Sequence, residues 1–204
     1  MIHKGTVRIE TERLILRRFV RDDAEAMFRN WASEEEVVEF LTWPMHEDVE
    51  ISRAVLQSWI IQYENLHFYN WGIELKEIGE VIGSIGVVRL NEEVKSCDLG
   101  YCIGTKWWGR KIMPEAGEAL IRFLFNEVGV NRIAAAHDYN NPKSGRVMQK
   151  LGMKYEGTLR QAGVNNQGIV DEVWYSILAK EYKKQKQDTL EVNLNVEVNL
   201  TRRG

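Results

Sequence analysis

The stretch that most limits what this chain can fold into runs from Asp98 to Ala116, D-L-G-Y-C-I-G-T-K-W-W-G-R-K-I-M-P-E-A. Leu99 to Ile103 is a short run of strand-forming residues. Gly104 and Gly109 break the run into a loop, and Pro114-Glu115 opens a helix. Proline suits a first helical turn, where its missing N–H is no loss, and a carboxylate there faces the positive helix end. A strand that passes through a glycine turn into a helix leaves several backbone N–H groups unpaired and aimed at one spot. The segment reads as an anion cradle or as an ordinary βα turn.

The flanking chain supplies the rest of a mixed α/β domain. Arg13 to Phe19 alternates as a first strand, and Asp22-Asp23 precede Ala24, Met27, Phe28 and Trp31 at helical spacing. Glu34 to Leu41 is a short helical turn ended before Pro44, and Glu47 to Tyr63 is an amphipathic helix. Phe68 to Leu75 and Val81 to Leu90 form a hairpin about Lys76-Glu77-Ile78-Gly79. A helix from Pro114 to Glu127 and a buried strand from Val130 to His137 follow the opening stretch. Asn141-Pro142 starts a last helix that Gly152 stops, and strands at Lys154–Leu159 and Ile169–Leu178 flank a polar turn at Asn165–Gly168. The order predicts about seven mostly antiparallel strands, helices on both faces and a central βαβ unit.

One domain over residues 1–182 is expected, with residues 183–204 as an appendage. Leu190 to Leu200 alternates with period two; an ordered edge strand, pairing with another subunit in a homo-oligomer, and disorder all stay open. The net charge of -3 gives no broad basic face for nucleic acid. Neither a signal-peptide core nor an apolar run of membrane-spanning length is visible, so a cytoplasmic location is expected. Cys97 and Cys102, five apart, match no metal or redox spacing and point to opposite faces of a strand, so two reduced thiols and no metal are expected. His3, His46 and His67 carry no specific reading.

Four segments in order, from Thr11 to about Tyr182, resemble the GNAT N-acetyltransferase superfamily, most closely its ribosomal-protein-alanine (RimJ/RimL) branch. They are T-E-R-L-I-L-R-R-F at Thr11–Phe19, W-G-I-E-L with I-G-S-I-G at Trp71–Gly86, the opening stretch, and N-P-K-S-G-R-V-M-Q-K-L-G-M at Asn141–Met153. The resemblance implies acetyl-CoA as acyl donor and a primary amine, on a protein N-terminus or a small molecule, as acceptor. It places the donor's pantetheine arm on the strand edge at Tyr101, Cys102 and Ile103. The pyrophosphate falls on the loop at Trp108, Gly109, Arg110, Lys111, Ile112 and Met113, where Lys111 and Met113 stand at positions the superfamily keeps small. Asn141 and Ser144 become donor contacts.

Direct transfer needs a neutral amine, and an unperturbed amine has a pKa near about 10, so a base is required. Asp98 is the first candidate; Glu74, Asp171, Glu172 and His137 lie on strands bordering the same cleft. The superfamily's acidic tyrosine falls on Met148, so Ser144 is the hydroxyl left to meet the departing sulfur; a first-turn bond to Asn141 competes for it. Trp43, Tyr69, Trp71 and Trp174 are candidates for the acceptor wall. Two other readings stay open: an acyl-CoA-binding protein that keeps the fold without turnover, and a scaffold built on the tail.

Overall fold

A computed structural model describes residues 1–187. Eight strands form one sheet: β1 (Ile9–Glu10), β2 (Leu14–Arg17), β3 (Asn70–Leu75), β4 (Glu80–Asn91), β5 (Ser96–Ile103), β6 (Arg132–Asp138), β7 (Lys154–Asn165) and β8 (Gly168–Leu178). Their spatial order is β1-β2-β3-β4-β5-β6-β8-β7. The expected seven becomes eight because Ile9–Glu10 pairs with Leu16 and Ile15 as a two-residue strand, too short to show alternation. The strand expected from Arg13 to Phe19 is confined to Leu14–Arg17.

The helices are α1 (Ala24–Met27), α2 (Glu35–Val38), α3 (Val49–Gln62), α4 (Ile112–Phe123), α5 (Pro142–Lys150) and α6 (residues 179–187). Wider five-residue turns continue α1 through Ala32 and α4 through Val128. Asp48 caps α3 by accepting the Ile51 N–H, and Asn141 caps α5 by accepting that of Ser144. The first turn of α4 begins two residues before Pro114, at Ile112, because Lys111 takes a left-handed conformation (φ 60°) that turns the chain into the helix. α6 runs across the boundary placed at Tyr182, whose ring packs in the core. The alternating segment Leu190–Leu200 lies outside the described residues.

The helices cover both faces. One layer joins α4, Met148 of α5 and Tyr182 of α6 to the inward residues of β2–β6 and β8; the other joins α1, α2 and α3 around Phe19, Trp31 and Leu56. Cys97 is buried in the first layer and Cys102 borders the second, the opposite faces that five-residue spacing requires, and both thiols are free. Among the described residues no helix is long and apolar enough to cross a membrane.

Every neighbouring strand pair is antiparallel except β5–β6, joined by the α4 crossover. That parallel pair has three registered residues: Ser96 with Arg132, Cys97 with Ile133 and Asp98 with Ala134. Beyond Asp98 the strands part. β5 goes on pairing with β4 out to Ile103, and β6 goes on pairing with β8 out to Asp138. A wedge-shaped opening between them faces the start of α5.

Candidate functional site

Two cavities meet in this opening. The first, about 550 Å³, runs along the free edge of β5 at Tyr101, Cys102 and Ile103 to Trp108 and Met113, under Asn141 and Ser144 of α5. The second, about 630 Å³, contains Asp98, with Trp43, Tyr69, Trp174 and Glu172 around it. Tyr101, Cys102, Asn141 and Ser144 line both, so the two spaces share a wall at the mouth of the opening.

Asp98 is the last residue of β5 that pairs with β6. Its side chain is only 18% exposed, with the exposed Arg89 guanidinium 3.6 Å away. Burial pushes its carboxyl above the usual aspartate range, against the opposing pull of Arg89 and Arg132. Drawn partly out of water, the carboxylate is a better proton acceptor than a free aspartate.

The Tyr101 hydroxyl donates to the Ser144 carbonyl at 3.1 Å, and the Tyr101 and Ser144 hydroxyl oxygens are 2.9 Å apart. With Tyr101's proton on that carbonyl, the Ser144 hydroxyl donates to Tyr101. Burial pushes the Tyr101 phenol up to about 12, so it remains protonated at neutral pH. The Ser144 hydroxyl is therefore not spent on Asn141: the Asn141 side chain takes the Ser144 backbone N–H instead, at 3.3 Å.

The loop into α4 divides the expected phosphate contacts. Trp108 Nε1 donates to the Ile103 carbonyl at 2.8 Å, tying the loop to the end of β5, and the Lys143 ammonium lies 4.1 Å from the Trp108 ring centre. Gly109, at φ 75°, has nothing within 4 Å of where a Cβ would stand. Met113, in the first turn of α4, is buried in the core and also borders the first cavity. Ile112 is wholly core. Gly109, Arg110, Lys111 and Ile112 do not line the cavity; Arg110 and Lys111 are exposed on the loop that follows the cavity residue Trp108. Sequence reading passed over two cations that do line it, Lys143 and Arg146, although both stand inside the quoted α5 motif. Two positive residues three apart at a helix start were the available signal.

The other base candidates separate cleanly. Glu74 is held in an ion network with Arg17, which also grips Asp23 in a two-pronged pair. Asp171 accepts the Gln161 N–H at 2.8 Å, stabilising an irregular stretch of β7. Glu172 lines the second cavity and accepts from Trp174 Nε1 at 3.1 Å. His137 reaches the same cavity, but its Nδ1 is 2.7 Å from the Asp138 carbonyl and its other edge lies against Gly145. Trp71 is fully buried and donates to the Val7 carbonyl, so it forms core and not wall. Asp138, missed in the sequence, lies buried in the second cavity with its oxygens taken by the Asn140 N–H and Asn165 Nδ2.

The roof of that cavity joins two distant loops. Asn166, in the β7–β8 turn, donates from Nδ2 to the Val38 and Trp43 carbonyls at 2.8 Å each, and its N–H donates to the Leu41 carbonyl at 3.0 Å.

Comparison with known proteins agrees with this architecture. Residues 13–154 match the family model described as an acetyltransferase (GNAT) domain. The N-acetyltransferase YoaA of Bacillus subtilis is 32% identical over 170 residues, covering 83% of this chain and 96% of that protein. The [ribosomal protein uS5]-alanine N-acetyltransferase of Escherichia coli is 38% identical over a shorter span, 36% of this chain and 40% of that protein. In fold, RimL, the ribosomal L7/L12 alpha-N-protein acetyltransferase solved with coenzyme A, superposes with a TM-score of 0.74 at 20% identity, over 84% of this chain and 98% of its own. The chain belongs to the GNAT acetyltransferase family and is an N-acetyltransferase.

Proposed function

We propose that the chain carries an acetyl group from acetyl-CoA to a primary amine with both substrates bound together. The observation that carries this reading is the meeting of two cavities at the β5–β6 opening, with Asp98 in one and the Tyr101–Ser144 pair in their shared wall. Acetyl-CoA, when bound, supplies a thioester carbonyl open to attack by a neutral amine.

The residues of the first cavity fit such a donor. The free edge of β5 at Tyr101, Cys102 and Ile103 offers backbone groups to an extended amide chain, as in strand addition. Lys143 and Arg146 provide cations for phosphate, Arg110 and Lys111 are exposed on the loop that follows the cavity residue Trp108, and Gly109 leaves the backbone open to close approach. Met113, in the first turn of α4, packs its side chain into the core and borders the same cavity.

Asp98 takes the proton the amine must lose, directly or through one water. As the C–N bond forms and the C–S bond breaks, the Tyr101 and Ser144 hydroxyls on the donor side relay to the departing sulfur the second proton that the attacking nitrogen gives up, so both end protonated as they began. A thiol of pKa about 8.5 needs little such help. The second cavity sets carboxylates and aromatic rings around the acceptor, which suits a cationic amine: a protein N-terminus, the acceptor named for the uS5-alanine relative, or a small-molecule amine.

Release of free thiol from acetyl-CoA, followed across N-terminal peptides and small amines, tests the proposal. Turnover with at least one acceptor is expected. If acetyl-CoA raises the melting temperature but no acceptor releases thiol, the protein is an acyl-CoA binder without turnover. Asp98→Asn should lower kcat/KM at neutral pH by roughly 10²-fold and recover part of it as the pH approaches the amine pKa. An unchanged rate removes Asp98 as the base.

A further inference from the structure

His3, His67 and Glu92 come from three separate parts of the chain, yet one ligand-type atom from each lies within 4.8 Å of the others. His3 belongs to the N-terminal segment, which is tied down by the Ile2 N–H on the Val128 carbonyl and the Gly5 N–H on the Leu66 carbonyl. His67 sits in the connection into β3, held by its N–H on Asn65 Oδ1, and Glu92 is the first residue past β4. His3 Nε2 is 2.5 Å and His67 Nδ1 3.5 Å from the same Glu92 oxygen, and the two imidazoles are stacked with ring centres 4.0 Å apart.

We propose that these three side chains form a binding site for a divalent transition ion of the zinc type, outside the acetyl-transfer cleft. Two imidazole nitrogens and one carboxylate oxygen are the donor set of a three-ligand zinc site with one position open to water. Tetrahedral coordination at zinc bond lengths spaces donor atoms by about 3.3 Å, which lies between the shortest and longest separations here. The adjustments fall on His67 and Glu92, both exposed and both at loop positions.

His3 is the fixed member. Its side chain is 9% exposed, and its Nδ1 lies 2.9 Å from the Tyr69 hydroxyl, which also accepts the Lys4 N–H. An outer partner of that kind fixes the ring orientation and tautomer of a metal-bound histidine. With a cation on His3 Nε2, the single ring proton of the neutral imidazole sits on Nδ1 and donates to the Tyr69 hydroxyl. Charge also favours occupancy, since the Glu92 carboxylate offsets part of the ion's charge.

The test uses the untagged full chain, stripped with a chelator and titrated with Co²⁺. One equivalent should bind with visible ligand-field absorption that Zn²⁺ bleaches, and Zn²⁺ should raise the melting temperature. His67→Ala and Glu92→Gln alter exposed side chains and should each weaken Co²⁺ binding by at least about tenfold, with unchanged circular dichroism. Glu93→Gln, next in sequence, should bind as the parent does. Two results overturn the site: no Co²⁺ spectrum up to millimolar metal, or His67→Ala and Glu92→Gln binding as tightly as the parent. The cluster would then be a hydrogen-bonded trio only.

Discussion

Asp98 is a carboxylate drawn partly out of water where two strands part, and its two protonation states serve different ends. Its pKa is raised in the fold, so ionisation there costs stability at neutral pH, and the cost disappears as pH falls below the ordinary aspartate range. Asp98→Asn should therefore leave the melting temperature at pH 7 equal or higher while turnover falls; a clear loss of stability would point to a structural role instead. Glu172 lines the second cavity and not the first. Glu172→Gln should raise the KM of a cationic acceptor several-fold with the acetyl-CoA KM unchanged, which initial-rate kinetics with each substrate varied will read out. The placing of Asp98, Tyr101 and Ser144 around one opening was legible because a strand-loop-helix motif and an Asn-x-x-Ser helix carry them locally. Asp138 was not, because its place in the cavity depends on Asn165 from another strand. His3, His67 and Glu92 meet across 89 residues, a span no local spacing encodes.

At the scale of elements, the β7–β8 turn is the clearest case of a segment whose chemistry was readable and whose purpose was not. Asn165-Asn166-Gln167-Gly168 forms the expected polar turn, yet Asn166 spends its side chain on the loop from Val38 to Trp43, more than 120 residues away. Each of these bonds is worth about 1 kcal/mol, and together they hold the roof over the second cavity. Asn166→Ala should lower the melting temperature slightly and raise the acceptor KM more than the donor KM; equal effects on both would remove the loop contact from acceptor binding. The early start of α4 has a similar origin. Pro114 marks a first turn by its chemistry, but the left-handed Lys111 decides where that turn begins.

Across the whole molecule, the three-strand half of the sheet is cross-tied by a polar cluster. Arg132 of β6 grips Glu156 of β7 through both guanidinium ends, at 2.6 and 2.5 Å, and Ser176 of β8 donates to the same carboxylate at 2.7 Å. Those donors, with the Arg132 hydrogen bond foremost, hold the Glu156 carboxyl down at about 2, against burial. A depressed carboxyl pKa contributes stability that is present above the unfolded value near about 4.5 and lost as pH falls toward the folded value. Glu156→Gln should flatten the fall in unfolding free energy between about pH 4.5 and 2, measured by urea denaturation at several pH values. The effect is tempered because Glu156 is 39% exposed and screened by solvent. The sheet's architecture was legible because strand alternation and helix caps are local, whereas the strand count missed β1, whose two residues carry no pattern. The three registered pairs of β5 and β6, continued by the Asn131 and Arg132 N–H groups on the Lys95 carbonyl, form the ladder between the β1–β5 plate and the β6–β8 plate of this sheet. The molecule is built like a half-open book whose spine is three residues long. The two rooms that open beyond that spine share Tyr101, Cys102, Asn141 and Ser144 as a party wall, so a change to any one of the four alters both rooms at once.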